Sequence, residues 1–448
     1  MLGQFFNPKT VALVGATNRP GSVGLGIAKN LLTGKNKRRV FFVNPKKKKI
    51  LGQRSYASIQ DTSEKIDLAI IAVPAPVVLE VAYECIKRKV RGVVVISSGF
   101  AESGETGAKR QQRLAELFQK NGIPFLGPNC LGVINPVNGF NGSFAPSLPA
   151  KGNIAFISQS GALIDALIDY SLAEKYGFSS LVSYGNAAGL GIADFLKYFS
   201  ADQKTKVIAL YLEGLKDGQR FIKAASRVAR LKPVVVLKGG VTQLGLRAAL
   251  SHSASLTGNS QIYSAAFQKA GLYEVQNLQE LIDVSLAFSS QPRFQGGGVG
   301  ILTNAGALGV LAADACDRAG LNLPALALAT QNHLQKLGLM NAAMNFTNPL
   351  DILGDALSDR YGVALNGLLR QKNIGCCLVV LSFQIMTDIE KIVKAIIKQK
   401  RLFPQKAIIA CLMAGSFTRK SSDILKEGGI PVFRTPERAV LAAKMLSL

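Results

Sequence analysis

Histidine is the side chain whose charge changes nearest neutral pH, and this sequence of 448 residues has two, His252 and His333. His252 lies in Ser251-His252-Ser253-Ala254-Ser255-Leu256-Thr257-Gly258, after a strand-like run from Val234 to Lys238 and a Gly-rich turn. Small and hydroxyl residues pack a core poorly, so the stretch reads as an exposed loop whose imidazole either serves as nucleophile or base or merely faces water. A second candidate is Ser158-Gln159-Ser160-Gly161, between a strand-like run from Asn153 to Ile157 and a helix from Ala162. Small residues entering a helix suit an anion at its unpaired N–H groups, and they equally suit an ordinary N-cap. Glu213 follows the apolar run Val207 to Leu212, and Tyr184-Gly185-Asn186 follows Ser179 to Ser183. His333 falls on a polar helical stretch, Thr330 to Leu337, and is expected on the surface.

These residues must be positioned by alternating strands and helices, which give parallel sheets with right-handed crossovers. The turns ending at 158, 184, 213 and 252 should then gather on one sheet edge, bringing together an anion-binding turn, a carboxylate and a histidine. The same alternation fills the N-terminal part. Val11 to Val14 precedes Gly15-Ala16-Thr17-Asn18-Arg19-Pro20-Gly21-Ser22-Val23-Gly24 and a helical pattern through Leu32. This is a strand, a Gly-rich loop and a helix, though not G-x-G-x-x-G. Arg39 to Val43 ends in Asn44-Pro45 and four lysines, Lys46 to Lys49, where a nicotinamide-binding fold more often has Asp or Glu. The lysines suit extra phosphate or a solvated basic turn. Leu68 to Val73 runs into Pro74, Val93 to Ile96 into Ser97-Ser98-Gly99-Phe100, and a fifth unit closes at Gly127-Pro128-Asn129-Cys130-Leu131-Gly132.

Asn135 to Pro149 is rich in Pro, Gly, Asn and Ser and is expected to be a linker. Val299 to Leu308 then echoes Ile154 to Leu163: an apolar run, a hydroxyl, an amide, a small residue, and Gly-Ala-Leu. With strands at Cys377 to Leu381 and Ala407 to Leu412, this marks a second doubly wound unit. The expected domains are 1–140, 150–292 and 296–448.

Composition sets the outer limits. The chain is 48% hydrophobic, enough for a large core, yet no apolar run approaches the roughly 20 residues of a membrane helix. The start lacks the features of a signal peptide, so the expectation is a cytoplasmic protein with no membrane association. Six scattered cysteines show neither zinc-site nor disulfide-framework spacing. The formal charge of +25 is spread along amphipathic stretches without interleaved stacking aromatics, and Trp is absent, which disfavours nucleic acid as partner.

Five ordered matches carry a resemblance: Val14 to Thr17, Val43 to Lys46, Ala72 to Ala75, Ser97 to Glu102 and Leu126 to Gly132. They are similar to the CoA-binding domain of the NDP-forming acyl-CoA synthetases, which include the α subunit of succinyl-CoA synthetase. Ser158 to Leu163, Tyr211 to Gly214, Val236 to Lys238 and Ser251-His252 extend the likeness, and the third domain resembles the ADP-forming acetyl-CoA synthetase α subunit. The resemblance implies an α/β fold, a Rossmann-like CoA-binding domain followed by two flavodoxin-like, doubly wound domains. It implies a CoA site at Gly15, Ala16, Thr17, Ser22, Val23, Lys46, Pro74, Ser97 and Ser98, and phosphate held by Asn129, Ser158, Gln159, Ser160 and Gly161. It implies that His252 is transiently phosphorylated, with Glu213 orienting its imidazole. The implied reaction interconverts acyl-CoA, ADP and phosphate with carboxylic acid, ATP and CoA through an acyl phosphate.

No residues remain for the ATP-grasp portion of that family, so a separate β subunit carrying ADP or ATP with Mg²⁺ is expected. Two stretches depart from the family pattern. Ser253-Ala254 stands where Thr-Gly is usual, and Tyr184 to Gly191 lacks the acidic and lysine residues often found after Gly-Asn, which bears on acyl specificity. A non-catalytic CoA-binding regulator of the same fold is the alternative. A nicotinamide oxidoreductase is opposed by Asn44 and the missing glycine fingerprint.

Overall fold

The structure is a computed structural model that describes residues 2–33, 38–253, 259–336, 344, 346–413 and 415–448, with side chains of the helix ending at Ser253 described through residue 249. It falls into two compact units, Met1–Gln276 and Asn277–Leu448.

The first unit holds two sheets. Strands β1 (Thr10–Val14), β2 (Arg39–Val43), β3 (Lys49–Ile50), β4 (Gln53–Tyr56), β5 (Leu68–Ile71), β6 (Val93–Val95) and β7 (Phe125–Leu126) lie in the order β3-β4-β2-β1-β5-β6-β7. All neighbours are parallel except β3 and β4. β5 and β6 are buried along their whole length, as parallel strands covered on both faces must be, which is why they read as unbroken apolar runs. The winding reverses at β1, whose neighbours are β2 and β5, so a crevice opens beyond the carboxyl ends of β1 and β5.

Strands β8 (Gly132–Asn135), β9 (Phe140–Ser143), β10 (Ala150–Ser158), β11 (Gly177–Ser183), β12 (Val207–Leu212), β13 (Val234–Lys238) and β14 (Tyr273–Val275) form the second sheet, ordered β14-β13-β12-β10-β11-β8-β9. Here the winding reverses at β10, so the turns after β10 and β12 lie side by side. The expected linker is corrected: β9 falls within Asn135 to Pro149 and pairs with β8, which runs antiparallel to β11 with Ile134 opposite Leu181. Turn residues dominate this hairpin's composition, but Ile134 and Phe140 are buried. Arg38 fixes it to the first sheet's side, donating to Asn138 Oδ1 at 2.9 Å and lying over the Phe140 ring. Asn30 Nδ2 does the same through the carbonyls of Ser143 and Ala145.

The second unit carries β15 (Gly298–Thr303), β16 (Leu350–Asp351), β17 (Ile374–Leu381), β18 (Ala407–Leu412) and β19 (Val432–Phe433), all parallel, in the order β16-β15-β17-β18-β19. The repeat read from the sequence is present in atomic detail. Thr303 Oγ1 bonds the carbonyl and N–H of Ala305, as Ser158 Oγ bonds those of Ser160. The amide that follows reaches the neighbouring strand's end in both copies, Asn304 to Ser382 and Gln159 to Glu213 and Gly214.

The helix Leu278–Ser290 lies in the second compact unit. Its Asp283, 1% exposed, takes a two-pronged ion pair at 2.7 Å from Arg438 on the closing helix Pro436–Ser447. A buried carboxylate needs such a partner, and the partner decides where the helix packs. Among the described residues no helix is long and apolar enough to cross a membrane.

Candidate active site

The residues expected to hold CoA line the carboxyl edge of the first sheet. Gly15 ends β1 with φ +96°, and a Cβ there would collide with the carbonyl of Ala72 at the end of β5, so the loop closes on its neighbour only with glycine. Ala16 is buried, and its carbonyl accepts from Asn44 Nδ2 at 2.7 Å, which ties the turn before Lys46 to the same loop. Ser22 stands at the head of the helix Val23–Thr33, its hydroxyl donating to Arg19 O and accepting from Leu25 N–H. Thr17 Oγ1 accepts from Arg19 N–H, and Ser97 Oγ donates to Val73 O at 2.5 Å. These three hydroxyls therefore shape the loops. Val23, Lys46, Pro74 and Ser98 are exposed along the crevice and are the side chains open to a ligand.

The second cluster is built by β10 and β12. Ser158 is fully buried and turned into its own loop, while Ser160 caps the helix Gly161–Glu174 by accepting from Leu163 N–H at 3.3 Å. The N-cap reading of this turn is seen directly: a capped helix N-terminus, with its partial positive charge, lies at the sheet edge. Gln159 Oε1 accepts the backbone N–H groups of Glu213 and Gly214 and locks the two turns together. Glu213 is buried, and Tyr211 Oη donates to its Oε1 at 3.2 Å. Burial and the nearby Glu213 carboxylate push the Tyr211 hydroxyl up to about 12, and burial with Glu213, Tyr211 and Tyr263 holds Tyr184 well above its ordinary value. Lys238, at the end of β13, lies over the Tyr263 ring at 4.8 Å; burial lowers its pKa and Glu213 opposes that shift.

A cavity of about 440 Å³ opens over this edge. Asn129, Gln159, Glu213 and Asn186 give it polar walls, and Ile192 and Phe221 are among its apolar ones. It unites residues given a site role from sequence, Asn129, Gln159 and Glu213, with several that were given none. Chief among these is Asn186 in the turn after β11. Its Nδ2 donates to Glu102 Oε2 (2.5 Å) and Gln111 Oε1 (2.9 Å), and its Oδ1 accepts from Asn129 Nδ2 (3.3 Å). Burial works against the Glu102 charge, but hydrogen bonds from Asn186 and the backbone outweigh it and hold its pKa below the ordinary value. Glu102 and Asn186 appear in the sequence as parts of strand-end motifs of two different sheets, and only their side-chain contact shows that they meet.

His252 lies in the last turn of the helix Gln243–Ser253. The expected loop is corrected to helix there, since Gln243, Leu246, Arg247, Ala248 and Ala249 are good helix formers. The imidazole of His252 and residues 254–258 lie outside the described residues. His333 is exposed on the helix Leu328–Lys336 of the second unit, as expected.

Comparison with known proteins agrees with this architecture. Residues 9–136 match the CoA binding domain family and residues 151–288 the succinyl-CoA ligase like flavodoxin domain family. The chain is 38% identical, over 449 residues, to the α subunit of an ADP-forming acetate–CoA ligase II of Pyrococcus furiosus, covering 100% of this chain and 97% of that one. It is 41% identical to an ADP-forming acetate–CoA ligase I of Archaeoglobus fulgidus over 99% of its length, but spans only 63% of that relative. A solved structure from Ca. Korarchaeum cryptofilum, described as a dinucleotide forming acetyl-coenzyme A synthetase 1 in complex with phosphate and ADP, superposes with a TM-score of 0.93 at 34% identity, covering 100% of this chain and 96% of that chain. The CoA-type crevice, the buried Glu213 beside a capped helix and the likeness along the whole chain place it together: this chain belongs to the family of ADP-forming acyl-CoA ligases.

Proposed function

We propose that the chain is the α subunit of an ADP-forming acyl-CoA synthetase, working with a separate ATP-grasp β subunit. The observation that carries this is the cavity in which Glu213, Gln159 and Asn129 converge. The crevice fits CoA: the Gly15 loop lets backbone approach a ligand, and Lys46 to Lys49 stand exposed beside it for phosphate groups. CoA, when bound, supplies the thiol that carries the acyl group.

In the proposed reaction an oxygen of inorganic phosphate attacks the thioester carbon, the C–S bond breaks and the thiolate leaves with a proton. The neutral imidazole of His252 then attacks phosphorus. The P–O bond to the acyl group breaks, freeing the carboxylate, and the phosphoryl group travels on nitrogen to ADP. Glu213 stabilises the imidazolium and fixes its tautomer, and Tyr211 and Gln159 hold Glu213 in place. The capped helix at Gly161 offers N–H groups to the phosphate.

The partner is supported by the P. furiosus relative, which is called an α subunit. ADP or ATP with Mg²⁺ is assigned to that partner. A cytoplasmic location belongs to the same proposal, supported by six cysteines that are all buried and unpaired. The test is direct: the full chain with acetyl-CoA and ³²P-phosphate should acquire acid-labile, base-stable label as free thiol appears. A chain that binds acetyl-CoA yet releases no thiol and takes no label would instead be the non-catalytic regulator.

A further inference from the structure

The turn between β12 and the helix Gly218–Ala229 places a lysine in the cavity wall whose charge no carboxylate among the described residues answers. Lys216 Nζ donates to the carbonyl oxygens of Asn186 at 2.7 Å and Ala187 at 3.4 Å. Those carbonyls do not drift. Asn186 N–H donates to Pro128 O, Ala187 N–H to Tyr184 O, and the Asn186 side chain is held by Glu102, Gln111 and Asn129. The ammonium is therefore set at a fixed point on the wall that also carries Glu213, Gln159 and Asn129.

The charges around it are otherwise committed. Asp217 caps the following helix by accepting from Arg220 N–H, and the Arg220 guanidinium pairs with Asp194 at 2.5 Å. Among the described residues no carboxylate lies within ion-pair distance of Lys216. An ammonium has three N–H donors, and two are taken by the carbonyls, so one remains. The residue keeps much of its surface open, and partial burial around its ammonium lowers its pKa, with no carboxylate beside it among the described residues. Such a group is the natural seat of an anionic ligand.

We propose that Lys216 anchors the phosphoryl oxyanion in this cavity, inorganic phosphate before it attacks and the acyl phosphate afterwards. The inference deepens the reading of the cavity as the phosphorolysis site and rests on it. A phosphate approaching Glu213 meets repulsion, and a fixed cation on the same wall offsets it. A lysine acts here as a compact point charge that can meet any face of a tetrahedral anion, where an arginine fork would hold it in one bidentate geometry. The lysine also couples two loops to the ligand: its carbonyl partners belong to the turn after β11, while its own backbone continues from Glu213.

The test is binding, so it does not depend on turnover. Equilibrium dialysis of ³²P-phosphate against the full chain saturated with CoA is compared for wild type, Lys216→Gln and Lys216→Arg. Glutamine retains an N–H donor for the Asn186 carbonyl and removes the charge. The wild type should bind phosphate, Lys216→Gln at least about tenfold more weakly, the scale of one charge-assisted hydrogen bond, and Lys216→Arg between the two, with CoA affinity unchanged throughout. Phosphate binding by Lys216→Gln equal to wild type would overturn the proposal, as would a wild type that binds none. A loss of CoA affinity with phosphate binding intact would make Lys216 only a strap between loops. Failure of the wild type to take label from acetyl-CoA while these phosphate affinities hold would sink the catalytic reading and leave the anion site standing.

Discussion

Replacing Glu213 by glutamine should slow phosphoryl transfer through the chain by about 10²–10⁴-fold, the range spanned by loss of a positioned acid–base partner, while acyl-CoA affinity stays within twofold. The carboxylate is buried, takes a hydrogen bond from Tyr211 Oη, and has its backbone N–H tied to Gln159. Glutamine fits the same space and keeps an oxygen for Tyr211, so the fold should survive. What it loses is the negative charge that stabilises an imidazolium and the acceptor that selects one tautomer. Rapid-quench labelling across pH separates this role from a structural one. A positioning carboxylate changes the pH profile of the labelling rate as well as its height, and Glu213→Asp should recover part of the rate. A Glu213→Gln variant that labels at the wild-type rate with the wild-type profile would remove Glu213 from the mechanism.

The second large effect is expected at the other sheet. Gly15→Val should abolish measurable CoA binding, at least about a hundredfold loss, because two constraints meet at one residue. The φ of +96° belongs to a region that valine scarcely enters, and the added Cβ would collide with the Ala72 carbonyl. The loop must move out of the crevice that β1 and β5 define. Calorimetric titration with CoA reads the loss directly. Thermal melting of the second unit, monitored by hydrogen exchange in Val299 to Leu302, serves as the control, since that sheet does not contain Gly15. Retained CoA affinity in Gly15→Val would show that the ligand does not use this loop.

How much of this was legible in the sequence differs from element to element. The runs that became β12, β15 and the inner half of β10, Ile154 to Ser158, were plain because a parallel strand buried on both faces is mostly apolar. The Ser158 and Thr303 turns were legible as a repeat because a hydroxyl that bonds its own loop leaves few alternatives at that position. The β8–β9 hairpin was not, since its stability comes from long-range partners such as Asn30 and Arg38 while its own residues are those of turns. The helix Leu278–Ser290 likewise depends on a distant partner: Asp283 pairs with Arg438, 155 positions away. The His252 segment misled for the opposite reason, because serines and one histidine masked a helix already propagating from Gln243.

The site itself was half visible. Strand order predicts which turns share an edge, and it correctly assembled the turns ending near 158, 184 and 213. It says nothing of side chains that cross between sheets, so the Glu102–Asn186–Asn129 network and the Lys216 wall emerge only from coordinates. Periodicity reports burial within an element; it does not report which two loops touch.

Phosphorylation of His252 is best read by labelling. The full chain is mixed with the proposed ATP-grasp subunit and γ-³²P-ATP, and the label on this chain is compared between wild type and His252→Ala. Acid-labile label is expected on the wild type, discharged by CoA together with carboxylic acid, and none on His252→Ala. Label that persists on His252→Ala at the wild-type level would contradict phosphorylation at this residue.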